Sequence, residues 1–101
     1  QPLPDSASEP RPRVASCVVR SNRFFDEIPL LEFIREQAGY LYRMKGYLKL
    51  DESRTLAMQT VFTQIATQII SDYQGPDELI AIGPDLNKLE FSKQLVSLEK
   101  R

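Results

Sequence analysis

The stretch Tyr40 to Leu50, YLYRMKGYLKL, constrains the fold of this chain more than any other. Read at a period of two, it sets Tyr40, Tyr42, Met44, Gly46, Leu48 and Leu50 on one face and Leu41, Arg43, Lys45, Tyr47 and Lys49 on the other. That alternation belongs to a half-buried strand. Gly46 falls on the apolar face, where a missing Cβ admits a close neighbour or marks a bulge. The strand is therefore expected to be central, with a core on one side. Its other side, Arg43, Lys45, Tyr47 and Lys49, is basic and forms the candidate interaction surface.

A strand of this kind needs partners, and the rest of the chain can supply one small domain. With 101 residues, 42% hydrophobic and 27% charged, there is room for a modest core and no second domain. The net charge of -1 lacks the basic excess that a nucleic-acid partner favours. No apolar run approaches the roughly 20 residues of a membrane span, and the first residues given lack a charged stretch followed by an apolar one. The single cysteine, Cys17, fits a reducing compartment, and a cytoplasmic location is expected. There is no histidine, which removes the commonest metal ligand and general base.

Residues 1–13, QPLPDSASEPRPR, hold four of the seven prolines and read as a linker or tail. Val14 to Ser21 is β-branched and reads as a first strand, with Cys17 a small buried hydrophobe rather than a reactive thiol. Asn22 to Gly39 reads as a helix. Asp26 is the expected N-cap, Pro29 is tolerated in the first turn, and Gly39 is expected to close the helix in the left-handed conformation. Ile28, Leu30, Leu31, Phe33, Ile34 and Ala38 form its apolar face, and Phe24 and Phe25 anchor its entry.

Asp51 to Arg54 is a polar turn, after which two signals conflict. From Leu56 to Tyr73 the apolar residues recur at helical spacing, yet Thr55, Thr60, Val61, Thr63, Ile65, Thr67, Ile69 and Ile70 are β-branched, which favours strand. Pattern alone leaves this segment open. QGPD at 74–77 is a turn, and Glu78 to Gly83, ELIAIG, a short apolar run consistent with a buried strand. A second helix follows, with Asn87 as N-cap, Glu90 as capping-box partner, Leu86 and Phe91 as a hydrophobic staple, and Phe91, Leu95 and Leu98 as its buried stripe. The expected fold is α+β: a two-layer domain with a small mixed sheet of about four to five strands and two helices on one face, in the rough order β-α-β-β(-β)-β-α.

Three stretches together resemble the C-terminal domain of CobW-like proteins. YRMKGYLKL resembles its Arg-x-Lys-Gly strand, ELIAIGPDLNKLEFSKQL its closing strand, turn and helix, and NRFFDEIPLLEFI its aromatic-then-helix opening. The resemblance covers residues 14–101 and implies that the Gln-x-Val-like MQTVF at Met58 to Phe62 lies in a strand, so that Thr55 to Thr63 and Ile65 to Ser71 become strands. CobW-like proteins are P-loop GTPases and metal chaperones whose nucleotide and metal motifs belong to the N-terminal domain. No Walker A motif and no cysteine-rich metal motif occurs in this sequence, so the resemblance carries no catalytic, cofactor or metal residue onto it. GTP and a divalent metal such as zinc or cobalt are implied for the parent protein only. The implied partners are an upstream P-loop GTPase domain and a metalloprotein client.

Three functions follow from these readings. The first is a non-catalytic accessory domain of a CobW-like GTPase that docks partners or couples nucleotide state to a client. The second is a stand-alone binding module that uses Arg43, Lys45, Tyr47 and Lys49 for an anionic ligand or single-stranded nucleic acid. A solvated sheet face is the commoner meaning of such residues. The third, an enzyme, is disfavoured because Asp26, Glu27, Asp51 and Glu52 sit as caps and turn residues with no base or nucleophile beside them.

Overall fold

A computed structural model describes residues 13–100. The proline-rich segment thus lies, except for Arg13, outside the described residues. The order is β1 (Val14–Arg20), α1 (Glu27–Ala38), β2 (Arg43–Lys49), β3 (Arg54–Val61), β4 (Gln64–Ser71), β5 (Glu78–Pro84) and α2 (Lys88–Val96). The five strands form one sheet in the order β1-β5-β2-β3-β4, with β2 in the middle.

Every strand pair is antiparallel, so the mixed sheet expected from the sequence is corrected. The connectivity gives the reason. β1 and β2 run in the same direction and are joined through α1, which suggests a parallel pair, but β5 enters between them and runs opposite to both. The segment that pattern alone left open is a hairpin of β3 and β4 around Phe62 and Thr63. Pairing on both edges of β3 satisfies the backbone there, and β-branched side chains fit a pleated surface better than a helix.

Both helices cover one face. Met44, Leu48, Leu56, Met58, Leu79, Ala81, Cys17 and Val19 rise from the sheet and meet Leu30, Phe33, Ile34 and Ala38 of α1 and Phe91 and Leu95 of α2. Phe33 and Phe91 join the helices, ring centroids 5.5 Å apart. Phe25 is fully buried and closes the end of this layer, its N–H donating to Lys49 and its backbone bridging Glu99. Ile28, expected on the buried stripe, is 71% exposed, because the helix turns only its 30/33/34 side to the sheet.

The helix ends differ from expectation in two places. Asp26 stands at the N-cap but makes no side-chain cap bond. A capping carboxylate accepts from the second or third helical N–H, and the third residue here is Pro29, which has none; Asp26 pairs instead with Lys100 at 3.3 Å. Gly39 has φ -69, so α1 ends in a right-handed turn rather than a left-handed cap. Asn87 caps α2 as expected, its Oδ1 accepting from Glu90 N at 3.0 Å.

Candidate functional site: the uncovered sheet face

Side chains alternate along each strand, so the helices leave one whole face of the sheet uncovered. The register places Val18, Ile80, Lys45, Gln59 and Ala66 in one row across it, Ser16, Ile82, Arg43, Val61 and Gln64 in the next, and Arg20, Glu78, Tyr47, Ala57 and Gln68 in a third. All four candidate residues, Arg43, Lys45, Tyr47 and Lys49, are on this face, as the alternation of β2 required. The alternation does not extend upstream. The strand begins at Arg43, and Leu41, expected on the basic side, is buried against Gly83, while Tyr40, expected on the apolar side, is exposed.

The four residues are not equivalent. Tyr47 stacks on Tyr73 with centroids 4.5 Å apart and planes 12° apart, and the Tyr73 hydroxyl donates to the Pro76 carbonyl at 3.0 Å. The segment 72–77 thus folds over one end of the face and covers one side of the Tyr47 ring. Burial raises the Tyr73 pKa, and the nearby Tyr47, Asp77 and Glu78 add to the effect. Lys49 lies 3.8 Å from Asp77, whose side chain is 12% exposed and whose Oδ1 is buried without a hydrogen-bond partner among the described residues. Burial raises the Asp77 pKa and Lys49 opposes that shift. Glu78, opposite Tyr47, pairs with Arg20 at 3.1 Å. Arg43 and Lys45 have no ion-pair partner among the described residues.

Beside the basic column lies an apolar one that the sequence reading did not assign to this face. Val18 (51% exposed) of β1 stands opposite Ile80 of β5, and Val14 (62%) opposite Pro84 at the strand's end; Ile80 and Ile82 are both half-buried. Glu78 to Gly83 is apolar on both of its faces, a pattern found in strands covered on both sides, yet only the Leu79/Ala81/Gly83 side is covered by helices. The signal was present in ELIAIG, but only the topology shows which side remains open. A shallow depression of about 240 Å³, lined by Lys45, Tyr47, Ala57, Gln59, Ala66 and Gln68, is too open to enclose a small molecule. Among the described residues no group of three or more Cys, Asp or Glu is placed to hold a metal ion, and no helix is long and apolar enough to cross a membrane.

Comparison with known proteins accords with this architecture. The profile of the cobalamin synthesis protein cobW C-terminal domain matches residues 14–99. No curated protein gives a significant match. Among solved structures, the fold is similar to Zn(II)-bound YjiA GTPase from E. coli, with a TM-score of 0.72 and 24% identity over 86% of this chain and 30% of that one. A Zn(II)-bound triple mutant of the YjiA GTPase gives a TM-score of 0.73, with the same identity and coverage. The chain thus spans about 30% of the length of the structures it matches. From the first strand to the bridge at Glu99, it belongs to the CobW C-terminal domain family.

Proposed function

We propose that this chain is a non-catalytic accessory domain of a CobW-like P-loop GTPase, and that its uncovered sheet face docks on the nucleotide-binding domain so that nucleotide state is coupled to a metalloprotein client. The observation that carries this reading is β5: Ile80 and Ile82, with Val18 opposite Ile80, form an apolar column on the face that the helices leave open. Arg43 and Lys45 border that column, giving the polar margin typical of interdomain contacts. GTP and the divalent metal belong, in this reading, to the partner domain, and the site of action is the cytoplasm. The similarity to GTPases solved with Zn(II) supports it.

The anion-binding alternative draws less from the geometry. Tyr47 already stacks on Tyr73 and Lys49 faces Asp77, which leaves Arg43 and Lys45 as the cations of the face without an ion-pair partner among the described residues. Calorimetry of this chain against the separately purified P-loop domain, with GTP, GDP and no nucleotide, tests the docking reading. Binding in at least one state, lost on combining Val18→Glu with Ile80→Glu in a protein that still folds, is the expected result. No binding in any state, or loss only on replacing Arg43, Lys45 and Lys49 with Glu, would reject docking through the apolar column.

A further inference from the structure

β4 is an edge strand that carries none of the usual devices against edge-to-edge pairing. Gln64–Ser71, QIATQIIS, has no charged residue and no proline. It pairs with β3 residue for residue, without a bulge. Ile65 (38% exposed) and Ile69 (40%) lie on the helix side of the sheet, where α1 approaches β4 but leaves both side chains partly open to solvent. The opposite edge differs, since β1 ends in Arg20, which is well exposed.

The phase of the backbone hydrogen bonds fixes what this edge offers. In a hairpin with a two-residue loop the closing pair, here Val61 and Gln64, is hydrogen-bonded, and every second pair after it is too. The bond from Asp72 N to Ser53 O, 3.3 Å, falls on the same phase. Gln64, Ala66, Gln68 and Ile70 therefore direct their N–H and C=O groups to β3, while those of Ile65, Thr67 and Ile69 point off the edge.

These three residues read Ile-x-Thr-x-Ile, a palindrome about Thr67. A second copy laid antiparallel with a two-fold axis through Thr67 sets Thr67 against Thr67 and Ile65 against Ile69. Those are the residues whose backbone groups have no partner among the described residues, so one register satisfies the ladder and also covers both isoleucines with each other. Two-fold pairing brings charges near the axis close to their own copies, and this strand has none to repel. We infer that β4 pairs with β4 of a second copy of this chain, joining two five-stranded sheets into one continuous sheet with all four helices on the same side.

Sedimentation of the chain from micromolar to millimolar concentration tests this. The mass doubles as concentration rises. Thr67→Lys, which sets two ammonium groups face to face, keeps the chain monomeric, as does Ile65→Lys with Ile69→Lys. Ile65→Lys with Ile69→Glu restores a dimer that weakens with salt, because the register places each Lys opposite a Glu. A chain that stays monomeric at millimolar concentration overturns the inference, as does a dimer that survives Thr67→Lys or is lost on Val18→Glu. If a variant fails to fold, amide exchange of the unaltered dimer decides: slow exchange at Ile65, Thr67 and Ile69 supports the pairing, and fast exchange at all three overturns it.

Discussion

Gly46 of β2 lies directly opposite Leu79 of β5, and the space a Cβ would need at Gly46 is already filled. A methyl group there would overlap the Glu78 carbonyl oxygen and stand 2.9 Å from both Cα and Cδ1 of Leu79. Two of these atoms are backbone at the centre of the sheet, where no rotamer change gives relief. Gly46→Val is expected to cost roughly 1–3 kcal/mol by overpacking. Lys45→Ala, on the uncovered face one residue away, should stay within about 0.5 kcal/mol. Equal midpoints for the two variants in urea melts would mean that the glycine is not needed for the contact.

The two helix starts should respond differently to loss of their polar residues. Asn87→Ala removes a bond to Glu90 N and is expected to cost about 1 kcal/mol. Asp26→Ala removes only an exposed ion pair to Lys100 and should cost at most about 0.5 kcal/mol. Thermal unfolding of both variants checks the ranking, and a larger loss at Asp26 would show that its carboxylate caps α1 after all.

Asp77 gives the fold a pH dependence whose direction follows from its burial. Its folded pKa is raised above 3.8, so below that value the group is protonated in both the folded and the unfolded chain and contributes nothing. As pH rises from 3.8 through the folded value, the unfolded chain ionises first and stability falls; above that value the loss is complete. Asp77→Asn should therefore gain stability relative to the unaltered chain across that interval and hold the gain at neutral pH. Denaturant melts at several pH values measure the difference. A difference that stays flat or shrinks with rising pH would show that Lys49, at 3.8 Å, outweighs the desolvation.

How legible the fold was depends on the range of the interactions that decide each part. The alternation of β2 identified its buried and open faces, and with them all four candidate residues, because a period of two is imposed by a strand's own backbone. Asn87 and Glu90 announced α2 for a similar reason: a cap acts within one turn. The failed cap at Asp26 was also local, since Pro29 stands in the sequence three residues on.

Local pattern was thus enough to tell which sides most segments bury: the faces of β2 from Arg43 on, the stripes of both helices apart from Ile28, the need for a glycine at position 46 and, with the family resemblance, the strands of the β3–β4 hairpin. Which strand lies beside which was settled by long-range pairing alone. β5 enters between β1 and β2, about sixty residues from the one and thirty-five from the other, and so makes the sheet antiparallel, fills the space at Gly46 and leaves Ile80 and Ile82 uncovered. It also brings Asp77 next to Lys49, while Tyr73 comes to lie over Tyr47. Such pairings depend on the closure of long loops and on competition among strands of similar character, and neither leaves a periodic trace in the chain.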